Sequence, residues 1–331
     1  MDPYRARLSG VERHQPGGLR VLGHFHGYPP HQNAGAEWYA HEVMVGLRDR
    51  GADVRVLNTT GRTGEPLEGI AVTRDRQAYR WADVVLTHLD CTRRAVTLAK
   101  QSHRPVVHLV HNHRQLAHWR VRRSEADLVV ANSRWVADTL HWPGPMVVAR
   151  PHVPVARYTT KPGDRVTLVN LYPDKGADVF WHLAERMPDV GFLGVRGGYG
   201  TQDVRTLPNV DVVDNTPRMR DDVYARTKVL VVPSVYESWG RVAVEAMCSG
   251  IPVVACPTSG LRESLGDAGV FATTADDFAA EVRRLLDDPA WYAHCSAASR
   301  RRAVEVEQVT SDDLDRLCSA VRSLVSVPVA A

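Results

Sequence analysis

The chain has 331 residues, 44% of them hydrophobic and 24% charged, a balance that excludes a disordered tail or a fibrous repeat. Forty-one basic and 38 acidic side chains leave a net charge of +3, too close to neutral for bulk electrostatic binding to nucleic acid, so no stable nucleic-acid partner is expected. Function must then lie in a local site, and because only Lys100, Lys161, Lys175 and Lys228 are lysines, each merits inspection.

In chain order, residues 1–18 form a polar leader with a Pro-Gly-Gly turn and no apolar h-region, and no apolar run reaches the roughly 18 residues of a membrane span. Five cysteines without Cys-x-x-Cys spacing point to a reducing compartment rather than a disulfide framework. A cytoplasmic protein, at most peripheral to the inner face of a membrane, is expected. A strand over 19–26 breaks at Gly27-Tyr28-Pro29-Pro30, and a helix follows from Ala34 to Arg50, with Gly51 placed to end it. Short Val-rich strands follow at 54–57, 70–73, 82–88, 105–111 and 128–131, alternating with helices. That alternation predicts a doubly wound α/β unit with a parallel sheet over 19–150.

Residues 151–164, rich in proline and lacking a period, read as a linker. The alternation restarts at 165–171 and continues through 190–195, 210–213, 228–233 and 251–255, giving a second unit over 165–310. Helical spacing over 276–288, 290–304 and 311–325 predicts a terminal helical layer, and the tail from 311 to 331 is expected to cross back to the first unit. Two such units imply a cleft between the carboxyl ends of their sheets, where ligands of open parallel sheets bind.

The densest motif is 231–263. A strand ends at Pro233-Ser234, Glu237 lies in the following loop, Gly240 permits a turn, and a helix from Arg241 carries Glu245. On a continuous helix the two acids would stand about 80° apart, but with the first in the loop both can face the cleft. Free amides at Trp239, Gly240 and Arg241 make an anion site at the helix start. Asp174-Lys175-Gly176 follows the second unit's first strand, Ala34-Gly35-Ala36-Glu37 follows the proline turn, and His111 ends the strand PVVHLVH.

Glu-x7-Glu followed by Ala-Met, Gly250-Ile251-Pro252, Val-Val, Gly260 and Glu263 resembles the donor motif of retaining GT-B glycosyltransferases of family four. The proline turn, the Gly35 loop and the Lys175 loop occupy corresponding places, so the resemblance extends over most of the chain. It implies two Rossmann-like domains facing across a cleft, with 19–150 on the acceptor side and 165–310 binding the donor. It further implies that a sugar moves from a nucleotide-diphosphate donor to a hydroxyl acceptor with retention and without a metal. Glu237 would touch the donor sugar, Glu245 hold the ribose hydroxyls, Lys175 neutralise the diphosphate, Gly35 let backbone approach the phosphates, and His111 contact the sugar.

One departure stands out: the family arginine five residues before the lysine is Asn170 here, so either Arg196 or Arg241 supplies the missing charge or donor affinity is lower. The donor is a substrate and no cofactor is implied. Gly194-x-x-Gly197-Gly198-x-Gly200 departs from dinucleotide spacing and reads as a loop beside the nucleotide base. His24-x-His26 and His108-x-x-His111-x-His113 have spacings that could hold zinc, but on a strand His108 and His111 point to opposite faces, so no metal site is expected. Arg114 to Arg123 is a basic helical stretch that suits a solvated face or an anionic or membrane-linked acceptor. A nucleotide-sugar epimerase of the same fold and a non-catalytic nucleotide-sugar or glycan-binding protein are the alternatives.

Overall fold

The computed structural model describes residues 18–58, 66–112, 121 and 125–326. The leader to residue 17 and, apart from Val121, the basic stretch Arg114 to Arg123 lie outside the described residues.

The first unit runs β1 (Arg20–Phe25), α1 (Gly35–Asp49), β2 (Asp53–Asn58), β3 (Ala71–Thr73), α2 (Ala78–Trp81), β4 (Val84–His88), α3 (Thr92–Gln101), β5 (Val106–Val110), β6 (Leu128–Ala131), α4 (Arg134–Leu140) and β7 (Met146–Val148). The strands pair in parallel in the order β3-β2-β1-β4-β5-β6-β7. Every residue of β4 and β5 is buried, as expected for central strands covered by helices on both faces.

A short helix α5 (Val155–Tyr158) lies in the linker. The second unit runs β8 (Arg165–Val169), α6 (Ala177–Arg186), β9 (Phe192–Val195), β10 (Val210–Val213), α7 (Met219–Asp222), β11 (Thr227–Val232), α8 (Arg241–Met247), β12 (Val253–Ala255), α9 (Ser259–Leu265), β13 (Val270–Phe271), α10 (Ala275–Asp287) and α11 (Pro289–Ser326). Its sheet order is β10-β9-β8-β11-β12-β13, again parallel. One face buries Trp181, Phe180 and Phe192, the other Trp239, Met247 and Ile251. Ser133, Thr258 and Thr274 cap α4, α9 and α10 through their side chains, and Thr274 forms a full capping box with Asp277.

Two sequence expectations are revised here. The edge strands β7 and β13, three and two residues long, escape a reading based on apolar runs. The segments 290–304 and 311–325 are one helix of 38 residues, roughly 57 Å long at 1.5 Å per residue. Ala303, Val306, Thr310, Leu314, Leu317 and Val321 keep one buried stripe through the expected gap, so nothing breaks the helix there. Leu314, Leu317, Cys318 and Val321 join the first unit's core beside Met44 and Leu47, which ties the end of the chain to its beginning.

The facing sheet ends touch. Asn33 Nδ2 donates to Asn215 Oδ1 at 2.6 Å, and Asn132 Nδ2 donates to Ser238 Oγ at 2.9 Å. Beside the linker, Arg150 donates through Nε to Glu263 at 2.8 Å and through Nη1 to Asp313 at 2.9 Å. The Glu263 carboxylate also accepts the amides of Arg134 and Trp135, at 3.0 and 3.1 Å, at the start of α4.

Candidate functional site

In each sheet the chain reverses its direction of growth once, between β1 and β4 in the first unit and between β8 and β11 in the second. Loops leaving two such neighbouring strands diverge to opposite faces and open a crevice at their carboxyl ends. Lys175 lies in the loop after β8 and Glu237 in the loop after β11, so both arise at the second unit's switch point.

The structure brings these two residues together: Lys175 Nζ donates to Glu237 Oε1 at 2.6 Å, and Ser234 Oγ donates to the same oxygen at 3.0 Å. Burial opposes charge on Lys175, yet the Glu237 carboxylate, helped by the nearby Tyr199 and Tyr236, raises its pKa above the usual lysine value. The local backbone explains the placement. Gly176 closes the lysine turn at φ 83°, and a Cβ there would stand 2.6 Å from the Pro233 carbonyl oxygen, so only glycine lets the two loops lie against each other. On the other side, a Cβ at Gly260 would stand 2.3 Å from the Glu237 carbonyl oxygen, so the start of α9 supports the acid's loop through bare backbone.

The second acid is placed differently. Glu245 is buried; Tyr224 Oη donates to its Oε2 at 2.6 Å and Arg241 Nε to its Oε1 at 2.5 Å. Arg241 also donates through Nη1 to Glu42 Oε2, through Nη2 to Glu42 Oε1 at 2.5 Å, and through Nη2 to Tyr158 Oη at 2.8 Å. The side chain proposed to supply the missing phosphate charge is thus committed to two carboxylates, a correction to that expectation. An anion at the start of α8 would meet Arg241 through its backbone amide. Gly240, at φ 84°, is the N-cap of that helix.

Asn170 leaves β8 in the left-handed region at φ 78°, where a short amide side chain is tolerated, and its Oδ1 accepts the Tyr172 amide at 3.2 Å. It shapes the turn and brings no charge. Arg196, at the end of β9, is partly exposed, with Nε 3.3 Å from Asp214 Oδ1. Trp239 is core, with the Arg150 guanidinium 5.9 Å from its ring centre. Gly35 begins α1, and a Cβ there would meet nothing within 4 Å, so no protein neighbour demands glycine at that position.

At the first unit's carboxyl edge, His111 Nε2 lies 2.8 Å from His88 Nδ1, and the His111 ring stands edge-on to Tyr39. Burial, reinforced by His108 and His26, drives the His111 pKa down to about 3, so this ring is neutral near pH 7. A small cavity lined by Leu89, His108, Asn112 and Val121 adjoins it. His24 is occupied by Tyr79, with Nδ1 to Oη 2.6 Å. Among the described residues, no three His, Cys, Asp or Glu side chains gather so as to hold a metal ion, and no helix is long and apolar enough to cross a membrane.

Sequence reasoning missed Glu42, Tyr158 and Tyr224, which complete the surroundings of the second acid. Glu42 did leave a signal. It lies between Tyr39, Ala40, Val43 and Met44 on the buried side of α1, where an unpaired acid would be strongly disfavoured.

Residues 202–302 match the family model described as glycosyl transferases group 1. A D-inositol 3-phosphate glycosyltransferase of Nocardiopsis dassonvillei is 35% identical over 167 residues, which cover 43% of this chain and 39% of that protein. Each of the curated relatives considered is matched over less than half its length. The structure of Anabaena HepE in complex with UDP-glucose superposes with a TM-score of 0.75 at 18% identity, over 91% of this chain and all of that one. Sucrose-phosphate synthase from Thermosynechococcus elongatus gives 0.74 at 16% identity, over 92% of this chain and 99% of that one. The chain therefore has the GT-B fold, and residues 202–302 of its second domain match the model of group 1 glycosyl transferases.

Proposed function

We propose that this chain, with a group 1 glycosyltransferase segment on a GT-B fold, transfers a sugar from a nucleotide-diphosphate donor to a hydroxyl acceptor with retention. The observation that carries the reading is the Lys175–Glu237 contact at the second domain's switch point, 2.6 Å long and largely shielded from solvent. A diphosphate seated there meets an ammonium that can stabilise the charge growing on the departing β-phosphate, and a carboxylate beside the sugar. Lys175 is then the cation of the leaving group, so the reading needs no divalent ion.

The donor's bond between anomeric carbon and phosphate oxygen breaks while the acceptor oxygen bonds to the same face of that carbon. The acceptor's proton passes to the departing phosphate oxygen. His111, with its pKa lowered to about 3, is a weak base and suits a hydrogen bond to a sugar hydroxyl better than proton abstraction. HepE was solved with UDP-glucose, which makes UDP sugars the first donors to try.

The test is a thermal-shift panel of nucleotide sugars, followed by transfer to acceptors in a lysate read by mass spectrometry. Product whose anomeric configuration matches the donor supports retention, and the inverted product overturns it. Nucleotide diphosphate released only with acceptor present separates transfer from epimerisation. Failure to release it with any acceptor would favour a binding protein.

A further inference from the structure

The guanidinium of Arg241 is shared between the domains. Its Nη1 and Nη2 face Glu42 on α1 of the first domain, and its Nε faces Glu245 one helical turn along α8 of the second. Each of the three side chains is less than a tenth exposed. An exposed Arg and Glu four residues apart on a helix would exchange partners with water and hold each other weakly. Here the fork is planar and rigid, so a carboxylate gripping its two terminal nitrogens fixes the direction of the third N–H. Tyr158 Oη, 2.8 Å from Nη2, adds a further restraint from α5.

The oxygens of Glu245 each receive one of these hydrogen bonds, Oε1 from Arg241 and Oε2 from Tyr224. A carboxylate has about four lone-pair sites, so two directions remain for further donors. We propose that Glu42, through Arg241, is a positioning residue that aims Glu245 at the vicinal hydroxyls of the donor's ribose, so that the first domain takes part in recognising a nucleotide held by the second. This rests on the reading of the chain as a nucleotide-sugar enzyme.

Calorimetric titration of the full chain with UDP, GDP and ADP, each beside its 2′-deoxy counterpart, tests the proposal. The wild type should favour the ribonucleotide about tenfold or more, the size expected of one hydrogen bond to a charged group. In Glu42→Gln, with wild-type circular dichroism, that preference should fall to within about threefold. Arg241→Lys keeps the charge but loses the fork, and should do the same if Glu42→Gln does not fold. An unchanged preference in the folded variant, or equal weakening of both nucleotides, overturns the proposal and assigns Glu42 to stability alone. Failure of the wild type to bind any of the nucleotides overturns the functional reading itself, and this inference with it.

Discussion

At the scale of single residues, the Lys175–Glu237 contact joins two side chains 62 positions apart whose charges depend on each other. Lys175→Ala removes the cation proposed to meet the leaving group and leaves Glu237 with only the Ser234 hydroxyl. Glu237→Gln keeps the shape and removes the charge. Each should lower kcat by about 10² or more with near-native circular dichroism, as measured by nucleotide release. The histidines make a second prediction. Burial lowers His111 to about 3, and His24 and His152 to about 4, below the unfolded value of about 6.5. Between those values the unfolded chain binds protons that the folded chain excludes. Stability should therefore be full above about pH 6.5 and fall as pH is lowered, by roughly 1.4 kcal/mol per pH unit for each such histidine. Denaturant titrations from pH 7 to 4 measure the slope, and His111→Gln should flatten it.

At the scale of elements, the lysine turn depends on Gly176 as much as on Lys175. Gly176→Ala forces a Cβ into Pro233 at a left-handed φ, and should destabilise the fold by ~1–3 kcal/mol and displace Lys175. Lower thermal stability together with a loss of kcat would show both effects; an unchanged kcat would separate the turn from the chemistry. Strands such as β4, β5 and β11 were legible because both faces are covered and every residue can be apolar. The short edge strands β7 and β13 were not, because two or three residues carry no period, whereas the equally short β3 was legible because Ile70 lengthens its apolar run. The loops at the switch points were legible through their glycines and acids, since local backbone rules select those residue types.

At the scale of the whole molecule, Arg150 is the junction where the linker meets both domains: Glu263 from α9 and the fully buried Asp313 from α11 hold it together. Asp313→Ala leaves a largely buried guanidinium short of a partner and should cost about 3 kcal/mol. Scanning calorimetry should then show the transition broaden or split as the domains uncouple, whereas a single unshifted transition would assign the coupling to the apolar packing of α11 alone.

The succession of the longer strands along the chain, the division into two α/β units and the placing of Lys175 and Glu237 after strand ends follow from the sequence, because alternating apolar runs and glycine turns are local properties, whereas the order of the strands within each sheet came from the tertiary structure. Only the tertiary structure decided that Arg241 serves two carboxylates rather than a phosphate, and that Glu42 belongs to the second acid's surroundings. Their contact spans 199 positions and exists because the Arg241 side chain of α8 reaches across to the Glu42 carboxylate on α1 of the other domain. No local period records which buried charge will face which, since that choice follows from how the domains pack.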